Sequence, residues 1–208
     1  MSTRGRLITI EGIDGAGKTT LAAGLLEALR ERGLDVELLR EPGGVELSER
    51  LRELVKDPRL RVDRRAEALI YAAARAQLVA EGVVPRLERG TWVLLDRFVD
   101  SSLAYQGAGR KLGLEEIAEL NHFATGGLVP DRTLLLVLTP EDARARTRER
   151  STVLDRLEQE NEAFFGRVLE GYEQIARQDP TRVRRVRADR AAPEVLRAAL
   201  GELDGLIA

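Results

Sequence analysis

Apolar residues recur along the chain in two alternating rhythms. Short runs at residues 7–10 (Leu-Ile-Thr-Ile), 36–39 (Val-Glu-Leu-Leu), 91–95 (Thr-Trp-Val-Leu-Leu) and 133–138 (Thr-Leu-Leu-Leu-Val-Leu) are rich in aliphatic and β-branched side chains. Such runs fill strands buried on both faces. Between them, residues 19–32, 46–56, 63–88, 114–124, 161–178 and 192–206 carry helical spacing, and the alanine-rich 63–88 stretch is interrupted near Gly82 and Pro85. Residues 181–186 predict a last strand, whose Arg184 and Arg185 suit a sheet edge. Strands alternating with helices predict an open, mostly parallel α/β sheet covered on both faces, because parallel neighbours need crossover connections. No internal repeat or low-complexity stretch interrupts the pattern.

The first strand-to-helix junction carries chemistry. Gly12-Ile13-Asp14-Gly15-Ala16-Gly17-Lys18-Thr19 matches G-x-x-x-x-G-K-[ST], the phosphate loop, with a strand before it and a helix after it. Glycines let successive N–H groups turn inward toward phosphate oxygens, and the helix N-terminus adds partial positive charge. Lys18 is predicted to reach the β/γ-phosphates and Thr19 to coordinate Mg²⁺. In parallel sheets ligands sit beyond the carboxyl ends of the strands, so Arg40-Glu41-Pro42-Gly43-Gly44 and Asp96-Arg97 belong to the same rim. Asp96 is the expected second magnesium anchor, and Arg97 is aimed at a phosphate. Arg40 and Glu41 read either as acceptor-site residues or as a surface ion pair.

Other features are open on spacing alone. Tyr71 and Arg75 stand at i and i+4 on one helix face, where a core ring with a snorkelling arginine is the commoner arrangement. His122, the one histidine, reads as structural, and Trp92 as packing. Residues 141–156 hold Arg144, Arg146, Arg148, Arg150 and Arg156. On a regular helix Arg144 and Arg148 face one way while Arg146 and Arg150 face nearly the other. Either some of them act, or the segment opens into a lid that closes over phosphates, or it is a solvated helix laced with Glu141, Asp142 and Glu149.

Composition narrows the classes. A chain of 208 residues suits one α/β domain. With 33 Lys+Arg against 35 Asp+Glu the net charge is −2, so no global basic field points to nucleic acid. The absence of cysteine excludes disulfides and thiol catalysis, and no stretch approaches the ~18 apolar residues of a membrane span. A cytoplasmic protein is expected. Lys18, Lys56 and Lys111 are the only lysines, and none sits in the Asn/Thr-Lys-x-Asp guanine reader of GTP switches. A small phosphate acceptor fits better, and a phosphate monoester needs no general base because its oxygen is already anionic.

With these residues assembled, the chain resembles the bacterial thymidylate kinase family over nearly its whole length. The resemblance rests on residues 10–20 (Ile-Glu-Gly-Ile-Asp-Gly-Ala-Gly-Lys-Thr-Thr), Arg40-Glu41-Pro42-Gly43-Gly44, Tyr71 with Arg75, Asp96-Arg97-Phe98, Ser102-Leu103-Ala104-Tyr105-Gln106 and Leu154-Asp155-Arg156-Leu157-Glu158. It implies a P-loop domain spanning 1–208, with a five-stranded parallel sheet, a short lid at about 141–156, and homodimerisation. It implies transfer of the γ-phosphate of ATP to dTMP with Mg²⁺, giving dTDP. By position, Gly12, Ile13, Asp14, Gly15, Ala16, Gly17, Lys18, Thr19 and Thr20 hold ATP, and Thr19, Asp96 and Asp14 approach the metal. Arg40, Glu41 and Pro42 line the acceptor site, Tyr71 stacks on thymine, and Arg75 reads the base edge. Arg97 holds the acceptor phosphate, Ser102 and Gln106 contact base or sugar, and Tyr105 lies where a ribose 2′-hydroxyl would clash. Some relatives carry an arginine inside the phosphate loop, and none stands at residues 13–16 here. The resemblance therefore implies a lid source, Arg148, Arg150 or Arg156, beside Lys18, Asp14 and Arg97 in catalysis. The alternatives are another nucleoside monophosphate or deoxynucleoside kinase, or a P-loop ATPase acting as a switch.

Overall fold

A computed structural model describes residues 4–139, 141–143, 146, 156–157 and 159–207. Five parallel strands, β1 (Leu7–Glu11), β2 (Val36–Arg40), β3 (Trp92–Asp96), β4 (Arg132–Val137) and β5 (Val183–Arg187), lie in the order β2-β3-β1-β4-β5. Leu7 sits beside Val93, and Ile8 beside Arg132. Central β1 is buried throughout, which is why its sequence is a continuous apolar run rather than an alternation. At the margin, β5 buries Val183 and Val186 and exposes Arg184, Arg185 and Arg187, as an edge strand should.

Helices cover both faces: α1 (Lys18–Glu31), α2 (Glu46–Lys56), α3 (Arg64–Leu78), α4 (Val84–Glu88), α5 (Val99–Ser102), α6 (Leu114–Thr125), α7 (Glu162–Gln178), α8 (Ala192–Gly201) and α9 (Asp204–Ile207). Successive strand residues point to opposite faces, so two apolar layers form. Ile8, Ile10 and Leu94 pack with Leu25 of α1, Val168 of α7 and Val195 of α8. Leu7, Val93 and Leu95 pack with Leu78, Val83 and Leu87 on the other side.

Three segments depart from the sequence-based expectation. The interruption near Gly82 and Pro85 is a π-helical turn, Val79–Val83, that joins α3 to α4 without ending the helical path. Residues 101–107, which the hydrophobic pattern assigns to no element, belong to α5 and the π-helical stretch Leu103–Gly109. Glycines there mask the helical signal yet serve packing: a Cβ on Gly109 would stand 2.7 Å from Phe164. The final 192–206 stretch divides after Gly201 into α8 and α9. Of the 141–156 segment, residues 141–143 are helical, whereas Arg144, Arg148 and Arg150 lie outside the described residues. Among the described residues no helix is long and apolar enough to cross a membrane.

Candidate active site

The loop between β1 and α1 turns through three glycines with positive φ, Gly12 (136°), Gly15 (83°) and Gly17 (93°). A side chain at Gly12 would bring its Cβ to 2.8 Å from the Leu136 carbonyl oxygen, so this turn requires glycine. Lys18 folds back over the loop and donates to the carbonyls of Gly12 (3.1 Å) and Ile13 (3.0 Å). Burial, and then the Arg97 charge, push the Lys18 ammonium down to about 8. Beside it, the Thr19 hydroxyl donates to Asp96 Oδ2 at 3.3 Å, joining the first turn of α1 to the end of β3.

Arg97 follows β3 in a left-handed backbone conformation, φ 71°, uncommon for a residue with a Cβ and typical of positions held by function. Its Nη1 donates to the Gly12 carbonyl (2.9 Å) and Ser101 Oγ (3.0 Å), and Nη2 to Asp14 Oδ1 (2.8 Å). Burial would raise the Asp14 carboxyl, but Arg97 and Lys18 outweigh it and hold it well below the usual carboxylate range. The Arg97 guanidinium lies 5.2 Å from the Tyr105 ring centre. The Tyr105 hydroxyl is buried without a hydrogen-bond partner.

Close to Arg97 lies a carboxylate to which the sequence motif assigned no role. Glu11, at the end of β1, accepts from Phe98 N (2.7 Å), Ser101 N (3.2 Å), Ser101 Oγ (2.6 Å) and Tyr172 Oη (3.0 Å). It receives amides at the start of α5, where a helix leaves its first N–H groups without the regular intrahelical bond. Burial and the nearby Asp100 push its carboxyl up to about 7.

The other end of the rim is held by Arg75. Its Nε donates to Glu41 Oε2 (2.7 Å), Nη1 to Ser102 Oγ (2.9 Å) and to Asn121 Oδ1, and Nη2 to the Phe98 carbonyl (3.1 Å). Arg75 is 2% exposed, so the snorkelling arrangement that spacing alone favoured is not the one adopted. The two readings of Arg40 and Glu41 separate: exposed Arg40 pairs with Glu49 at 3.1 Å, whereas Glu41 is buried against Arg75 with its Oε1 unpartnered. Burial raises the Glu41 carboxyl against the pull of Arg75.

A single cavity of about 1260 Å³ joins the two ends. Its lining includes the loop from Asp14 to Thr20, Arg40, Glu41, Pro42, Tyr71, Arg75, Asp96, Arg97, Ser102, Tyr105 and Gln106. Gly12 and Ile13 stand behind Lys18 as its carbonyl partners. Arg52, Lys56, Arg146 and Arg190 also line it. These cations were missed as site residues because they belong to no contiguous motif, although Arg146 falls within the arginine-dense segment. Arg156 lies elsewhere: it donates to the Val55 carbonyl (2.9 Å), pairs with Glu67 (2.6 Å) and lines a second hollow of about 450 Å³. Exposed His122 lines neither cavity, and Trp92 is packed in the core.

The Thr19 hydroxyl and Asp96 carboxylate form an oxygen-only pair facing the phosphate end. That donor set suits Mg²⁺, which binds few protein oxygens and keeps water and phosphate ligands. Among the described residues no three His, Cys, Asp or Glu side chains group into an all-protein metal cage.

The family model described as thymidylate kinase matches residues 10–199. A thymidylate kinase of Lactobacillus delbrueckii subsp. bulgaricus is 45% identical over 200 residues, covering 95% of this chain and 94% of that protein. One of Halalkalibacterium halodurans is 46% identical over 200 residues, covering 95% of each. The crystal structure of thymidylate kinase from Ehrlichia chaffeensis superposes with a TM-score of 0.79 at 30% identity, covering 96% of this chain and 98% of that one.

Proposed function

The chain belongs to the thymidylate kinase family, and from that premise we propose that it transfers the γ-phosphate of ATP to dTMP, giving dTDP and ADP. The observation that carries this reading is the shared cavity, with a phosphate loop at one end and Tyr71, Arg75 and Gln106 at the other. The backbone of residues 12–20 cradles the triphosphate, and Lys18 leaves its two loop carbonyls to meet the β/γ-phosphates. Arg97 stands beside both the loop carboxylate Asp14 and Tyr105, and there it holds the acceptor phosphate. The acceptor oxygen is already anionic, so positioning and charge neutralisation do most of the work.

Thr19 and Asp96, with Asp14 lining the same cavity, are the residues that would hold Mg²⁺, which when bound would supply neutralisation of phosphate charge. Arg148 and Arg150 bring further positive charge from the 141–156 lid, while Arg156 ties the lid's end to the body. Tyr71 stacks on the base, Arg75 and Ser102 meet its edge, and Arg40, Glu41 and Pro42 wall the acceptor site. The buried ring of Tyr105, which lines the cavity, is the group that excludes a ribose 2′-hydroxyl in this reading.

The same reading makes residues 1–208 one kinase domain acting as a homodimer, with exposed Leu69 (58%) and Phe123 (87%) on the adjoining helices α3 and α6 as an apolar face to cover. A reducing cytoplasm suits a chain without cysteine.

ADP production from Mg-ATP, with dTMP, dUMP, dCMP, UMP, GMP, AMP, thymidine or no acceptor, tests the proposal. A clear preference for dTMP is expected. Equal ADP release with and without acceptor would instead indicate an ATPase, and preference for another acceptor would overturn the base-site roles.

A further inference from the structure

Gln106 reaches the cavity from the π-helical stretch, but its amide nitrogen is already engaged: Nε2 donates to Glu67 Oε1 at 2.9 Å. Glu67 comes from the first turn of α3 and is fully buried. Its oxygens are filled on every side. Arg110 donates to Oε1 through Nε (3.1 Å) and to Oε2 through Nη2 (3.0 Å), and Arg156 pairs with Oε2 at 2.6 Å. Burial works to raise this carboxyl, but the bonds from Arg110 and Gln106 and the two arginine charges hold it below the usual range. Glu67 is therefore an ionised acceptor, unable to donate. A glutamine amide facing such a group must turn its NH₂ toward it, which leaves Oε1 as the atom offered to a ligand.

We propose that Glu67 is a positioning residue that locks the Gln106 amide with its oxygen toward the cavity and thereby selects pyrimidine monophosphates whose N3 carries a hydrogen. The inference rests on the pyrimidine-kinase reading above and specifies how the base is discriminated. A 4-oxo pyrimidine presents an acceptor at C4 and a donor at N3, matching the Arg75 cation and the Gln106 oxygen that line the same cavity. Cytosine presents an amino group at C4 and a lone pair at N3, so a cation would meet a donor and an acceptor would meet an acceptor. A site built to bond a particular polar edge rejects the mismatched one strongly, because its own buried groups are left unpaired. Without Glu67 the amide would turn over freely and the discrimination would weaken.

The test compares kcat/KM for dTMP and dCMP in the full-length enzyme, in Glu67→Gln, in Gln106→Met and in the double variant. The side-chain amide that Glu67→Gln introduces can donate to the Gln106 oxygen, so the dTMP-to-dCMP preference should fall by at least about tenfold, the scale of one misdirected hydrogen bond. In the Gln106→Met background the same change at position 67 should leave the preference unaltered, since Glu67 acts through Gln106. A folded Glu67→Gln enzyme with unchanged preference overturns the proposal, as does an equal fall in both backgrounds.

Should Glu67→Gln fail to fold, the unaltered chain decides by ¹⁵N NMR. The Gln106 side-chain NH₂ signals, assigned by their loss in Gln106→Met, should stay bonded in place when dTMP is added. NH₂ protons that leave their bond to contact the base would overturn it. An unaltered chain that phosphorylates no pyrimidine monophosphate breaks the functional reading itself. Preference for dTMP with an indifferent Glu67 breaks only this inference.

Discussion

The two ends of the cavity are assembled from different distances along the chain. At the phosphate end, Lys18 bonds carbonyls five and six residues away, and backbone geometry does the holding. At the base end, Arg75 bonds Phe98, Ser102, Glu41 and Asn121, separated from it by 23, 27, 34 and 46 residues. There the groups hold one another through buried charge and hydrogen bonds. A locally built site can lose a side chain and keep its shape, whereas a mutually supported one loses stability along with recognition.

Breaking each end should therefore give different signatures. Lys18→Ala is expected to lower kcat by about 10⁴-fold, roughly 5–6 kcal/mol of lost transition-state stabilisation. Its melting temperature should stay near that of the unaltered chain, because the two hydrogen bonds lost go to loop carbonyls and Asp14, which also pairs with Lys18 at 3.8 Å, keeps Arg97 at 2.8 Å. Wild-type turnover in this variant would remove Lys18 from the mechanism. Arg75→Met should behave in the opposite way, losing about 3–5 kcal/mol of folding stability because Glu41 is left as an unpaired buried carboxylate. Denaturant unfolding measures it, and an unchanged midpoint would contradict the mutual-support account.

Glu11 sharpens the comparison, since it joins β1 directly to α5. A carboxyl raised from 4.5 to about 7 in the folded chain binds its proton more tightly there than when unfolded. Its stabilising contribution is full below about pH 4.5 and is lost as pH climbs through 7, a span of about 3 kcal/mol. Glu11→Gln should therefore fall further below the unaltered chain in melting temperature at pH 5 than at pH 8. A constant gap would show that Glu11 does not titrate in this window.

The smallest effect is expected from Tyr105→Phe. The hydroxyl removed is buried and unbonded, so stability should change by less than about 1 kcal/mol, and dTMP turnover should barely move. A large rise in UMP use in this variant would assign ribose exclusion to the hydroxyl instead of the ring.

Much of this was legible in the order of residues. The four apolar runs and the arginine-bearing edge strand became β1 to β5, because burial on both faces leaves a continuous hydrophobic record. The phosphate loop was legible for a related reason: glycines, lysine and threonine act within one turn of chain, so their spacing is their geometry. The helical character of 99–109 was not legible, since Gly109 answers to Phe164 and Val168 of α7 and Gly107 to Leu114 at the start of α6, rather than to the local helix. Nor could Glu11 and Glu67 be singled out, as each looks like any acidic residue until its partners from other elements close around it. Arg148 and Arg150 remain assigned by resemblance, while Arg156 is drawn to Glu67 and Val55, on elements far away in sequence.

By itself, then, the sequence determined the parallel sheet, its rim and the phosphate-loop end of the cavity, because periodicity and short motifs are local physics. Only the tertiary structure decided which buried carboxylate faces which cation, which face of Gln106 is turned outward, and that Arg75 is a buried cation at the cavity wall, held by Glu41, Phe98, Ser102 and Asn121. Those outcomes depend on desolvated charges meeting across tens of residues, and in a low-dielectric interior each such group takes its state from the partner that folding supplies.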